Sequence, residues 1–238
     1  MKDEQQPQKG EQTMIRNMTL VLLCLITLNG FAGADNRILI AAADPWPPFV
    51  DPEDPREGLA MAIIRAAYKT QGYQVKMKYM PWARAESGVA EGKFDLLPDT
   101  WLTAERQKTL LYTLPYAWNK VKFVKRAGDP FEFQGLESLE GKIVGTVRGY
   151  GYGDDFLNAT HFKREEVHDW ILNIKKLTCT PHRIDLTLED EIVARISVAR
   201  ENPALLSQIE FTDNALSSNS LHVAIGRRNP DAEALIRA

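Results

Sequence analysis

The sequence has little cysteine, no hydrophobic run long enough for a membrane span and no strong charge of either sign. Of its two cysteines, Cys24 lies in an N-terminal apolar run and Cys179 stands alone in the rest of the chain, so no internal disulfide is expected. A lone thiol of this kind is expected to be buried. The apolar run, Met18 to Leu28, is shorter than the roughly 20 residues of a transmembrane helix. The formal net charge of −3 provides no basic face, which argues against a nucleic-acid partner.

The usual signals of catalysis are also missing. The four histidines are dispersed, and the chain has neither metal-ligand spacing nor a nucleophile elbow. The stretch from Arg148 to Gly153 looks like a phosphate loop, but Asp154 stands where G-x-G-x-x-G requires its third glycine. The pair Asp154 and Asp155 would moreover repel a phosphate. We therefore predict no catalytic residue, no metal and no cofactor.

The N-terminus has the features of a secretory signal peptide. The basic segment Met14 to Arg16 precedes the apolar run, and the small residues Ala32 to Ala34 form a cleavage site. Residues 1–13 are polar and atypical ahead of a signal peptide, so translation is expected to start at Met14. Cleavage after Ala34 predicts a secreted mature protein that begins at Asp35.

After residue 35 the patterns of strands and helices alternate, which predicts an α/β protein with mainly parallel sheets. A continuous apolar run, Arg37 to Ala43, is typical of a central strand, and Glu57 to Thr70 predicts an amphipathic helix that stops at Gly72. Its apolar face is predicted to consist of Leu59, Ile63, Ala66 and Ala67. Further strands are predicted at 75–79, 94–97, 119–125 (an edge or crossover strand), 142–147, 184–188 and 221–226, and further helices at 81–92, 103–111, 154–159, 171–177 and 189–199.

The stretch from Asp95 to Tyr116 predicts an anion-binding turn. It predicts a turn at Pro98 and Asp99 after a buried strand, and a helix that Thr103 caps and that carries Arg106 in its first turn. Free backbone N–H groups at a helix start and a guanidinium group both favour a carboxylate. The alternative is that Arg106 is a solvated side chain paired with a neighbouring carboxylate.

Five motifs occur in a fixed order after residue 35. They are Trp46–Phe49 (WPPF), Pro81–Ala85 (PWARA), Asp95–Tyr116, Val144–Tyr150 (VGTVRGY) and Arg183–Glu191, which contains RID and EDE. This ordered set resembles family 3 of the bacterial extracellular solute-binding proteins. The resemblance implies an α/β, two-lobed periplasmic binding protein-like (type II) fold, in which two α/β lobes joined by a double-crossover hinge close on a solute.

The resemblance also implies a division of the chain. The expected parts are a leader and signal peptide at 1–34, lobe 1 at 35–119 with 220–238, and lobe 2 at 120–219. Relatives continue for one or two further helices beyond the equivalent of residue 238, so the C-terminus is expected to be truncated.

Four segments are expected to meet in a cleft, because ligands of open α/β sheets bind beyond the carboxyl ends of the strands. The predicted ligand-binding residues are Asp44, Trp46, Phe49, Thr100, Trp101, Arg106, Arg148, Gly149, Tyr150 and Asp190. By resemblance, Arg106 would hold the ligand's α-carboxylate and Asp190 its α-ammonium group. Alternatively, Trp46 anchors its loop in the core. Asp190 could instead stabilise the first turn of a helix, or Asp185 could bind the ammonium group in its place. Asp44 and Asp99 could select a cationic side chain.

The function implied is that of a periplasmic receptor that captures an amino acid or a similar small polar solute and delivers it to an ABC importer. Its partners would be the ligand and a permease of the inner membrane, and the protein is expected to be a monomer. Two alternatives remain open. One is a periplasmic enzyme similar to cyclohexadienyl dehydratases, with Glu189 or Asp190 as an acid. The other is a sensing module that docks on a membrane receptor.

Overall fold

The computed structural model describes residues Arg37–Ala238, so the predicted leader, signal peptide and cleavage site lie outside the described residues. The strands are β1 (Ile38–Ala43), β2 (Gln74–Tyr79), β3 (Leu97–Trp101), β4 (Leu110–Tyr112), β5 (Ala117–Arg126), β6 (Ile143–Val147), β7 (Lys163–Val167), β8 (Leu186–Asp190) and β9 (Ile209–Gly226). The α-helices are α1 (Leu59–Thr70), α2 (Trp82–Ala90), α3 (Asp154–Asn158), α4 (Ile171–Thr178), α5 (Glu191–Glu201) and α6 (Ala232–Arg237). Short 3-10 helices cover Arg106–Lys108, Leu136–Leu139 and Pro203–Gln208. Between residues 37 and 238, no helix has both the length and the apolar character needed to cross a membrane.

The strands form two sheets, and each sheet contains parallel strands. β1 and β2 pair in parallel, and a bridge between Ala41 and Leu96 continues this unit towards β3. The larger sheet has the order β3-β9-β5-β8-β6-β7, with β4 also paired to β9. β6 is parallel to both β7 and β8, whereas β5 is antiparallel to β8 and to β9. The architecture is therefore α/β, with antiparallel strands between two groups of parallel strands.

The antiparallel pair β5–β9 connects these two groups. Its register runs from Ala117 opposite Leu221 to Arg126 opposite Ile209. Because β5 also pairs with β8, it is an interior strand and not an edge strand. β9 begins at Ile209, twelve residues before the predicted strand start, because its polar middle segment lacks the apolar alternation that signals a strand.

One predicted helix is wrong, and it lies beside the site. Residues 103–111 do not form an α-helix, since Arg106–Lys108 is a single 3-10 turn and β4 follows it. Pro98 and Asp99, predicted as a turn, lie within β3. Pairing of both strands with β9 overrides the local helical pattern. The predicted cap survives in part, because the Thr103 hydroxyl accepts a hydrogen bond from the Arg106 backbone N–H at 3.2 Å.

The predicted buried face of the first helix is also wrong. In α1 the buried residues are Ala60, Met61, Ile64 and Tyr68, whereas Leu59 and Ile63 are exposed. The helix carries apolar residues on two sides, so periodicity alone does not select the packed one. Tyr68 fixes which side of the helix packs, because its hydroxyl group donates a 2.8 Å hydrogen bond to the buried carbonyl of Leu235 in α6.

Cys179 is exposed, contrary to the expectation that a lone thiol is buried. It follows α4, and its Sγ atom lies 3.3 Å from the carbonyl oxygen of Lys176 and 3.1 Å from that of Pro181. The helix ends one residue earlier, so the thiol sits in a surface turn that the apolar stripe of α4 does not cover.

Candidate functional site

The loop after β1, the end of β3, helix α2 and the loop after β6 enclose a small cavity of about 20 Å³. It is lined by Asp44, Trp46, Trp82, Asp99, Trp101, Arg106, Tyr150 and Gly151. A cavity of this size holds about one water molecule. A larger cavity of about 560 Å³ shares Asp44, Trp46 and Tyr150 with it, so the two spaces adjoin.

Three buried carboxyl groups face these cavities. Asp44 is 9% exposed and lines both, Asp99 is 6% exposed and lines the small one, and Glu189 is 1% exposed and lines the large one. The Tyr150 hydroxyl donates to Asp44 Oδ2 at 3.0 Å. Among residues 37–238, neither Asp99 Oδ1 nor Glu189 Oε2 has a hydrogen-bond partner. Buried polar atoms are normally paired, so unpaired carboxylate oxygens at a cavity indicate a place for an external donor.

Burial shifts the pKa of each of these carboxyl groups upwards. Loss of solvation raises the pKa of Asp44 to about 7, although the hydrogen bond from Tyr150 opposes the shift. Loss of solvation and the neighbouring charge of Asp44 raise the pKa of Asp99 well above its ordinary value. Burial also raises the pKa of Glu189 to about 8. A bound cation would stabilise the ionised forms and lower all three values.

Arg106 is buried between the small cavity and the loop after β6. Its Nε donates to Glu86 Oε2 at 3.1 Å, and the guanidinium carbon lies 4.9 Å from the Trp82 ring centroid. Its Nη1 donates to the Trp101 carbonyl at 3.1 Å, and its Nη2 donates to the Gly149 carbonyl at 2.7 Å. Most of its N–H groups are therefore already engaged within the protein.

Aromatic rings form the walls of the small cavity. The rings of Trp46 and Trp101 meet edge to face at 5.6 Å between centroids, and those of Trp101 and Tyr150 at 5.9 Å. The Trp82 ring meets Tyr150 in the same way at 6.1 Å. Rings set at steep angles to one another present both edges and faces inwards, which suits apolar groups and cations.

Local backbone features place the polar side chains. The register between β3 and β9 shifts between Leu97 and Thr100, where Pro98 cannot donate to the sheet ladder. Asp99 lies within this irregularity of the strand pairing, and its carboxyl group faces the cavity. On the opposite side, a Cβ atom at Gly151 would lie 2.8 Å from Thr103 Cγ2 and 3.0 Å from Arg106 Nη1, so any larger residue would force these side chains to shift.

The structure brings together five of the predicted ligand-binding residues. Asp44, Trp46, Trp101, Arg106 and Tyr150 all line the small cavity. Gly149 lies beside them, with its carbonyl group bound to Arg106.

The remaining predicted residues lie away from the small cavity. Phe49 stacks on Trp46 at 4.9 Å as part of the core, and Thr100 is fully buried. Arg148 is exposed and forms an ion pair with Glu166 at 3.2 Å. Sequence reasoning located these segments, but it could not tell which side chain of each segment turns inwards.

Asp190 caps helix α5. Its Oδ1 accepts from the backbone N–H groups of Ile192 and Val193, at 2.9 and 3.0 Å, and its Oδ2 accepts from Asn119 Nδ2 at 3.2 Å. The neighbouring Glu189 faces the large cavity instead, because successive side chains of a strand point to opposite sides. The sequence analysis predicted that β8 ends at residue 188 instead of 190. Glu189 and Asp190 were therefore assigned to a helix, which concealed their opposite orientations.

Glu189 and Trp82 line the cavities but were not among the predicted ligand-binding residues, since Glu189 was considered only as the acid of an enzyme. Glu189 Oε1 accepts from Trp46 Nε1 at 3.1 Å, a contact between residues far apart in the chain. Trp82 lies in the PWARA motif, which contributed to the resemblance but was given no role in the site. The acidic residues directly after a buried strand were the available signal for Glu189.

A second long-range contact involves Arg200, which lines the large cavity. Arg200 of α5 binds Asp51 through two parallel hydrogen bonds of 2.7 and 2.8 Å. The side chain of Asp51 is buried, whereas that of Arg200 is 38% exposed. In the stretch from Arg37 to Ala238, no cluster of three or more histidine, cysteine or acidic residues is arranged to hold a metal ion.

The chain is similar to a known protein family in sequence and to solved structures in fold. The family described as "Bacterial extracellular solute-binding proteins, family 3" matches residues 38–225. No curated protein is significantly similar in sequence to the chain.

Solved structures with a similar fold include the holo arginine-binding protein ArgBP of T. maritima, with a TM-score of 0.70 and 21% identity, covering 84% of this chain and 87% of that one. The GluR0 ligand-binding core in complex with L-glutamate has a TM-score of 0.69 at 20% identity and covers 85% of this chain and 90% of its own. The substrate-binding protein of an amino acid ABC transporter has a TM-score of 0.67 at 16% identity, covering 84% and 89%. These likenesses show the predicted two-lobed, type II periplasmic binding protein-like fold.

Proposed function

Because the chain belongs to family 3 of the bacterial extracellular solute-binding proteins, we propose that it is a periplasmic receptor for an amino acid or a similar small polar solute. The receptor captures the solute between its two lobes and delivers it to an ABC importer in the inner membrane. It acts as a monomer, without a cofactor, and it reaches the periplasm through the signal peptide expected at its N-terminus.

One observation carries this proposal: a cavity lined by two buried carboxyl groups and four aromatic rings is built from segments distant in the sequence. Asp44 and Asp99 reach the small cavity from β1 and β3, and Tyr150 reaches it from the loop after β6. Burying carboxyl groups costs several kcal/mol each unless they gain a partner. A solute with an ammonium group supplies that partner.

The division into lobes follows the β5–β9 pair. We assign residues 35–119 and 220–238 to lobe 1 and residues 120–219 to lobe 2, with the two long strands as the hinge. Contacts from Trp46 to Glu189 and from Asp51 to Arg200 then join the two lobes across the cleft. A solute that touches both lobes favours the closed form by the difference between its affinities for the closed and open forms.

A thermal-shift screen tests the receptor function. The purified protein is heated with amino acids, small peptides, polyamines and organic acids, each at saturating concentration. A ligand at one hundred times its dissociation constant adds about 2.7 kcal/mol to the free energy of unfolding, which raises the melting temperature by several degrees.

The screen needs a matched pair of variants. Asp44→Asn removes one buried carboxylate and should abolish the shift, whereas Asp213→Asn removes an exposed carboxylate and should leave it intact. A library in which no compound shifts the wild-type protein would overturn the proposed function.

Glu189 is the one observation that favours an enzyme of the same fold. It is a buried carboxyl group whose pKa is raised to about 8, and it would serve as a general acid near neutral pH. The receptor function predicts that the protein leaves prephenate unchanged, as followed by its ultraviolet absorbance. Turnover of prephenate that Glu189→Gln abolishes would instead establish a dehydratase.

A further inference from the structure

We propose that the site takes an aliphatic diamine in preference to an α-amino acid. Asp44 and Asp99 hold one ammonium group in the small cavity, and Glu189 holds the second in the large cavity. This inference rests on the proposed function and specifies the class of solute that the receptor captures.

The size of the small cavity sets the first condition. Its volume of about 20 Å³ is the space of about one water molecule. A primary ammonium group has a similar size and offers three N–H donors. A trimethylammonium group or a carboxylate with its flanking carbon is larger. The cavity therefore fits the end of a primary amine without rearrangement of its walls.

The charge distribution sets the second condition. Asp44 and Asp99 line the small cavity, and Asp44 and Glu189 line the large one, so acidic groups are present at both positions. Asp99 Oδ1 and Glu189 Oε2 lack partners within the chain from residue 37 onwards, so the lining of each cavity includes a carboxyl group with one unsatisfied oxygen. Two unsatisfied acceptors in adjoining cavities fit a ligand with an ammonium group at each end.

Arg106 supplies the argument against an amino acid. Of its side-chain nitrogens, Nε donates to Glu86, and Nη1 and Nη2 donate to the backbone carbonyls of Trp101 and Gly149. These bonds use three of its five N–H groups, so a ligand carboxylate could use only the remaining two. It would also lie close to the carboxyl groups of Asp44 and Asp99, which would have to stay protonated beside it. A carboxylate on the ligand therefore gains little here.

The aromatic residues shared by the two cavities accommodate the carbon chain. Trp46 and Tyr150 line both spaces, so they are available to contact a ligand that reaches from one cavity into the other. Methylene groups pack well against such surfaces, and the ammonium ends gain from ring faces nearby. Hydrophobic contact in the middle and charge at both ends describe a linear diamine.

Isothermal titration calorimetry of the whole protein tests the inference with two ligands that differ only in a carboxylate. These are L-lysine and 1,5-diaminopentane. We expect the diamine to bind more tightly than L-lysine. If L-lysine binds as tightly as the diamine or more tightly, the ligand carboxylate is recognised and the inference is wrong, although the receptor function stands. If no solute of the wider screen binds, the receptor function itself fails.

Two substitutions test which residues bind each of the two ammonium groups of the diamine. Glu189→Gln should weaken binding of 1,5-diaminopentane at least tenfold and leave n-pentylamine, which has one amino group, unchanged. Asp99→Asn should weaken both amines, and the exposed control Asp213→Asn should weaken neither. Equal losses for both amines in Glu189→Gln would show that Glu189 has only a structural role and would overturn the assignment. If Asp99→Asn does not fold, the inference is still tested by the two ligands on the wild-type protein and by the Glu189→Gln variant.

Discussion

Replacing Glu189 with glutamine is expected to stabilise the ligand-free protein as the pH rises, although it impairs ligand binding. Burial raises the pKa of Glu189 to about 8 in the folded protein, against about 4.3 for an exposed glutamate. The folded state therefore holds this proton more tightly than the unfolded state does. Stability is greatest below the unfolded pKa and is lost as the pH rises through the interval between about 4.3 and the folded value.

The magnitude follows from the width of that interval. Each pKa unit corresponds to about 1.4 kcal/mol, so the ionisation of Glu189 lowers the free energy of unfolding by about 3 kcal/mol between about pH 5 and pH 8. Glutamine does not ionise. Its carbonyl oxygen can still accept from Trp46 Nε1 and from the Asp190 backbone N–H. Its amide nitrogen takes the place of the unpaired Oε2, at a cost of about 1–3 kcal/mol that does not vary with pH.

Urea denaturation at half-unit steps from pH 5 to pH 8 measures this effect. Relative to that of the wild type, the free energy of unfolding of Glu189→Gln should increase by about 3 kcal/mol across this range. Glu140→Gln, at an exposed position, should show no such trend. A difference that stays constant with pH would refute the reasoning, because Glu189 would then be ionised in the folded protein throughout.

Two further predictions concern the surroundings of the two cavities, and a third concerns an exposed cysteine. Arg200→Ala should lower the free energy of unfolding by about 1 kcal/mol at pH 7, a modest value because the side chain of Arg200 is partly exposed. Arg200 lowers the pKa of Asp51, so this loss should shrink as the pH falls below about 3.9, and equal losses at pH 7 and pH 3 would contradict it. Gly151→Ala should weaken ligand binding tenfold or more in calorimetry, because its Cβ would lie 3.0 Å from Arg106 Nη1, and unchanged affinity would count against this packing. Cys179 should react with a thiol reagent in the native protein, and peptide mapping that finds it unlabelled would contradict its exposure.

The sequence predicted the order of elements well wherever apolar periodicity was decisive. β1, α2, β6 and α4 lie within a residue or two of their predicted bounds. The failures occurred where a distant partner determines the structure. Residues 103–111 carry a helical pattern, but pairing with β9 imposes a strand on part of them.

The site was predicted by segment and not by side chain. Trp46 and Arg106 were expected to bind the ligand, and both line the small cavity. Arg106, however, contacts Glu86 from α2, and no spacing in the sequence indicates that pairing. Glu189 was concealed by a two-residue error in the end of β8, because residues 189 and 190 were assigned to a helix and not to the alternating faces of a strand.

The most direct test of the acidic, aromatic cavity as the binding site is a crystal structure of the protein with the tightest-binding solute of the thermal screen. Our account predicts an ammonium nitrogen within about 3 Å of carboxylate oxygens of both Asp44 and Asp99. It also predicts that the hydrogen bonds of Arg106 to Glu86 and to the Gly149 carbonyl are retained. A solute whose carboxylate lies on Arg106 and whose ammonium group lies on Asp190, or a solute bound outside the two cavities, would contradict it.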